Sequence, residues 1–237
     1  MVTADNKIFT FTYRMLQSKL VHVQYSTDKA MTVYRSMVDA TNKNTETINN
    51  TALTVNKIYT FRQRINNRTE KLKASEKRLG KKVVGLLDDA IHEIEKLNTD
   101  VRHYSEIMQR NTDSILITIL KAIHYQWREK VYMSVLSRTN TIPVDDEFSC
   151  FLGWWYNSEG KARFSGFPPF IRLGAVHRRL HQVASELAKE NLQAPDNEVI
   201  LKKLEEFEAV SISVIMALDQ LDEYLMKLAM SEHDSDC

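Results

Sequence analysis

A chain of 237 residues can form one domain or two, and 43% hydrophobic residues are enough for a buried core. Thirty-two Lys and Arg against thirty-one Asp and Glu leave no global attraction to nucleic acid. The two cysteines, Cys150 and the final Cys237, make no disulfide framework; the N-terminus lacks a basic stretch followed by an apolar run, and nowhere do about eighteen apolar residues follow one another, so the sequence reads as soluble and cytoplasmic with no membrane span.

From Met1 to Ile142 the chain has no proline and only two glycines, Gly80 and Gly85, so little interrupts a helix. Residues 8–40 carry Ile8, Phe11, Met15, Leu20, Val23, Met31, Tyr34 and Met37 among polar residues, which suits one or two helices. The alternation in KIFTFTY also admits a strand. The Thr- and Asn-rich run from Ala40 to Thr54 is poor in helix formers and reads as a hairpin loop, with a polar stretch of coiled coil as the alternative. From Leu53 the apolar residues recur at helical spacing through Val55, Ile58, Phe61, Ile65, Leu72, Leu79 and Leu86, and a second register follows through Leu87, Ile94, Val101, Met108 and Ile115. The change at Gly85 to Leu87 reads as a stutter in a seven-residue repeat. A helix from Leu53 to about Tyr132 would be roughly 120 Å long and needs a partner, either the preceding segment or a second copy of the chain.

Ten Lys or Arg and two Glu lie between Lys57 and Lys82, followed by Asp88, Asp89, Glu93, Glu95 and Asp100. An acidic partner, a nucleic acid or an anionic membrane face could meet such a surface. The run lacks a nucleic-acid motif and has only Tyr59 and Phe61 as interleaved aromatics, so it reads as a solvated coiled-coil flank, with basic residues of one chain near acidic residues of another and no nucleic acid expected.

The C-terminal half holds all four prolines. Ile117, Leu120, His124, Trp127 and Val131 fall at steps of three and four, which sets His124 on the inner face of a helix. Pro143 and the acidic Asp145, Asp146 and Glu147 lead to a short helix opened by Cys150. Pro168 and Pro169 start a helix running to about Asn191, with His177 and His181 one turn apart on the face of Phe170, Leu173 and Ala184. Pro195 and Asp196 turn the chain into a last helix bearing Leu204, Phe207, Val214, Leu218, Leu221, Leu225 and Leu228. The expected fold is therefore all-α: a helical, coiled-coil region over residues 1–110, an antiparallel bundle of four principal helices over 111–230, and a disordered polar tail over 231–237 that includes His233 and Cys237.

His124, Cys150, His177 and His181 are one thiol and three imidazoles, the donors zinc takes when protein atoms fill all four tetrahedral positions. HYQWREKVY, CFLGWWYNSEG, FPPF and HRRLH, in that order, resemble the chemoreceptor zinc-binding domain family of bacteria. The family pattern of His and Trp, then Cys-x-Leu-Gly-x-Trp and a following Gly, then His-x-x-x-His falls here on His124 and Trp127, on Cys150, Leu152, Gly153, Trp155 and Gly160, and on His177 and His181. The resemblance covers roughly the C-terminal half and implies that His124, Cys150, His177 and His181 are the zinc ligands. Gly153 would let a backbone or ring approach closely, and Trp155 would shield the site.

Four protein ligands leave zinc no open position, and Arg178 stands where zinc peptidases carry a Glu base, so no catalytic residue is expected. The resemblance implies a homodimeric regulatory protein of the chemotaxis or cyclic-di-GMP type acting on a further signalling partner. Zinc occupancy or the redox state of Cys150 would alter helix packing, with a purely structural zinc in a helical scaffold as the alternative.

Overall fold

The computed structural model describes residues 4–139, 142, 144, 146–193 and 196–234. The fold is all-α: no strand occurs among these residues, and no helix is long and apolar enough to cross a membrane. Two long helices, α1 (Ala4–Thr69) and α2 (Ala74–Leu136), precede α3 (Phe151–Trp155), a π-helical turn (Tyr156–Gly160), α4 (Lys161–Phe164), α5 (Pro168–Ala188) and α6 (Asn197–Asp234).

Three sequence expectations are corrected in the first half. Residues 7–13 are helical and not a strand, because α1 is unbroken from Ala4. The Ala40–Thr54 run is not a loop either. Its threonines stay helical by donating to carbonyls one turn back: Thr41 to Met37, Thr45 to Thr41, Thr47 to Lys43, Thr51 to Thr47 and Thr54 to Asn50. The expected single helix from Leu53 to Tyr132 is interrupted at residues 70–73, a tight turn without glycine or proline. There Lys71 N–H donates to Arg68 and Leu72 N–H to Thr69, and Lys77 pairs with Glu70 across the turn at 2.5 Å. The partner of the second long helix is thus the first.

The chain forms two compact units, residues 35–112 in one, and residues up to 34 together with those from 113 in the other. In the first, Ile48 and Val55 of α1 and Val84 and Ile91 of α2 are the buried apolar residues of a helical hairpin. Arg62 reaches Asp88 with both Nε and a terminal nitrogen, and Tyr59 donates to Glu95.

The second unit holds the larger core, with Ile117 and Leu120 of α2, Trp155, Phe170 and Leu173 of the following segment and α5, and Phe207 of α6 all nearly inaccessible to solvent. Its long helices within residues 111–230 are the end of α2, α5 and α6, three and not the expected four. The Cys150 segment makes only short pieces, since α3 gives way to the π turn after five residues. The N-terminal arm of α1 joins this unit, tied by Gln126 donating to Thr27 at 2.8 Å. Two prolines start α5, and α6 runs to Asp234, into the stretch expected to be a disordered tail. The parts expected of Pro143, Asp145, Pro195 and Cys237 lie outside the described residues, as does the side chain of His233.

Candidate metal centre

Cys150 caps the N-terminus of α3: its backbone is extended and its Sγ accepts from the N–H of Gly153 at 3.2 Å. Across from it, α5 turns His177 and His181 to the same side. Cys150 Sγ lies 3.2 Å from His177 Nε2, and His177 Nε2 lies 3.1 Å from His181 Nε2, with the two imidazoles edge to face. These three residues offer donor atoms that all fall within 4.8 Å of one another. Both histidines are buried and Cys150 is half-buried.

His124 stands outside that trio. It is buried on α2, 6.2 Å from the Trp127 ring, and its Nε2 is 2.9 Å from the hydroxyl of fully buried Ser211 on α6. All four residues nevertheless border one cavity of about 280 Å³, whose wall also includes Trp127, Gln24 and Leu152. Burial, with the neighbouring Arg128 and His181, pushes His124 down to about 4, and burial beside the other two imidazoles pushes His177 down to about 3. Both rings are therefore neutral at ordinary pH, the form in which imidazole donates to a metal.

Gly153 allows the close approach expected of it. A Cβ there would lie 2.0 Å from the carbonyl oxygen of Glu147 and 3.3 Å from Cε1 of His177. Trp155, expected to shield the site, instead packs in the core against Phe164 and Phe170. The ring beside the histidines is Trp127, 5.4 Å from that of His181. Arg178, in place of a peptidase Glu, points outward to Glu147 at 3.2 Å. Ser211 had no sequence signal, since it lies 87 residues from His124 among ordinary helix-face residues.

The thiol of Cys150 and the imidazoles of His177 and His181, gathered at one cavity, form a cluster able to coordinate a metal ion. Residues 124–188 match the chemoreceptor zinc-binding domain, from His124 itself to the last residue of α5. The match lies wholly in the C-terminal half and takes in all four of His124, Cys150, His177 and His181. No curated protein and no solved structure matches the chain.

Proposed function

We propose that this chain is a cytoplasmic zinc-binding sensory protein in which His124, Cys150, His177 and His181 hold one Zn2+. The convergence of Cys150, His177 and His181 donor atoms within 4.8 Å, inside the family-matched segment, carries this reading. The donor set fits the ion: one thiolate and neutral imidazoles are what zinc takes, and burial already keeps His124 and His177 unprotonated. With Nε2 of His124 occupied by Ser211, Nδ1 is the nitrogen left for the metal, and Ser211 becomes the outer partner that fixes the ring. Bound zinc would hold Cys150 as thiolate and tie α3 to α5 and α2.

Cys150 is the residue through which a signal would act, being half-buried and the single thiol of the set. Its protonation, displacement or oxidation removes one donor of four and frees the short α3 segment. Because α2 bears His124 and runs unbroken from Ala74, a change in its packing is available to a signalling partner of the chemotaxis or cyclic-di-GMP type.

The test is zinc content by elemental analysis of protein purified without added metal, beside Cys150→Ala and His181→Ala, with release followed during titration by a chelator or hypochlorite. About one zinc per chain, lost in both variants and released with a change in shape while the helices persist, supports the sensor. Zinc released only when the helices melt would mark a structural staple, and an absence of zinc would overturn the proposal.

A further inference from the structure

The basic run between Lys57 and Lys82 reads in the sequence as the flank of one straight helix. The turn at residues 70–73 folds that run back on itself and gathers most of it at one end of the α1–α2 hairpin. Eight Lys or Arg and two Glu lie from Arg64 to Lys82. At about 1.5 Å per residue, all are within roughly 12 Å of the turn along either helix. Of the eight, Lys77 is taken up by Glu70 across the turn, and Lys81 lies near the same carboxylate. Arg64, Arg68, Lys71, Lys73, Arg78 and Lys82 are exposed, and none has a carboxylate partner among the described residues. Glu76 stands in the first turn of α2, where it balances the positive end of that helix.

These charges do not share one flat face. At about 100° per residue, Arg64 and Arg68 lie roughly 180° and 140° round α1 from the buried Val55, and Arg78 and Lys82 roughly 120° and 160° round α2 from the buried Val84. They therefore project from opposite sides of the hairpin, while Lys71 and Lys73 project at its end. Between those two lysines is Leu72, 44% exposed at the turn. Behind it the two legs are locked together, with buried Thr69 packed on Gly80.

A nucleic-acid duplex or an acidic helix laid along one leg would meet the cations of that side only. An anionic plane met end-on by the turn draws on both sides at once, and beyond its charge layer it offers Leu72 an apolar medium. We infer that the tip of the α1–α2 hairpin, with Leu72 at its apex, is a docking surface for an anionic lipid bilayer. The zinc site plays no part in it, since the residues of that site all lie in the other unit.

Co-sedimentation of the full chain with vesicles tests it, using phosphatidylcholine alone and phosphatidylcholine with about 30% phosphatidylserine, at low salt. Circular dichroism and zinc content are recorded for every variant. The protein is expected to pellet with the anionic vesicles and not with the neutral ones, and to be released as salt is raised toward about 0.5 M. Lys71→Gln combined with Lys73→Gln should weaken binding about thirtyfold, since each cation near such a surface strengthens it about fivefold. Leu72→Ser should weaken it about tenfold. These three side chains are exposed, so helix content and zinc should be kept. Lys202→Gln combined with Lys227→Gln removes the same charge from exposed positions on α6 and should bind like wild type. No binding to anionic vesicles, an equal loss in the α6 pair, or a Leu72→Ser variant that binds like wild type would overturn the proposal. Retention on duplex DNA or polyglutamate without vesicle binding would also overturn it, giving the tip to a nucleic acid or an acidic polypeptide.

Discussion

Cys150 Sγ and His177 Nε2 sit 3.2 Å apart although 27 residues separate them, and the contact is set by backbone on one side and a helix face on the other. The thiol is fixed as the cap of α3, and the imidazole by its place one turn before His181 on α5. The position of the sulfur thus depends on how closely the chain before Cys150 can pack on α3.

Gly153 controls that packing. Because a methyl group would fall 2.0 Å from the Glu147 carbonyl, a backbone atom with little freedom to retreat, Gly153→Ala should displace the turn leading into Cys150. The expected result is a loss of about 1–3 kcal/mol in stability and at least a tenfold loss in zinc affinity, read by urea titration and by competition with a chromogenic chelator. Unchanged affinity would mean that Cys150 is placed without this contact.

Ser211 is expected to act through His124. Its hydroxyl fixes one imidazole nitrogen at 2.9 Å, so Ser211→Ala should leave the other nitrogen poorly aimed and weaken zinc binding by about 10- to 100-fold. Ser211→Thr, which keeps the hydroxyl, should bind more nearly like wild type. If neither variant changes affinity, His124 is not held for the metal by α6.

The chemistry-bearing residues were legible because their spacing is local: His177 and His181 share a helix face, and Cys150 sits in a dense block with Gly153 and the tryptophans. What lay beyond reading was the choice of neighbours across the fold. Trp155 and Trp127 are both aromatic residues of the motif, yet only packing decides that Trp155 joins Phe164 and Phe170 while Trp127 lies against His181. The Thr-rich run misled for a related reason. Propensity counts threonine against a helix, but here hydroxyl bonds to preceding carbonyls recur along α1.

Metal-free protein should lose stability on acidification. His177 is held down at about 3 and His124 at about 4, against 6.5 in an unfolded chain. Above 6.5 both are neutral in either state and their contribution is complete. Below it the unfolded chain takes up protons that the folded one refuses, so stability falls as pH drops from 6.5 toward 4, by on the order of 2 kcal/mol per histidine at pH 5. Urea midpoints of chelator-treated protein at pH 7.5 and 5 would show it, and His177→Gln should flatten the difference. A pH-independent midpoint would contradict the burial of neutral imidazoles.

Arg163 of α4 grips Asp113 of α2 with two bonds, at 2.6 and 2.5 Å, and the Asp113 side chain is only 11% exposed. Removing the cation takes two charged bonds from a nearly buried carboxylate, whereas neutralising the acid leaves a half-exposed guanidinium that water can reach. Arg163→Met should therefore cost about 3 kcal/mol, and Asp113→Asn distinctly less. Equal costs in thermal or urea unfolding would mean that Asp113 is solvated once Arg163 is gone.

The hairpin turn has no glycine or proline of its own, and its signal lies ten residues further on. Gly80 of α2 faces Thr69, the buried last residue of α1, so closely that a Cβ would lie 2.2 Å from the threonine oxygen and 2.5 Å from its methyl carbon. A β-branched side chain at the end of a helix has little room to turn away. Gly85, one and a half turns later, has nothing within 4 Å of such a Cβ. The two glycines, alike in sequence, should thus respond oppositely to alanine. Gly85→Ala should stabilise the chain by about 0.5–1 kcal/mol through the helix preference alone. Gly80→Ala should destabilise it by about 1–3 kcal/mol by pushing α1 from α2 where the chain reverses. Differential unfolding of the two variants decides the point, because stabilisation by both would mean that Gly80 is not what lets the turn close.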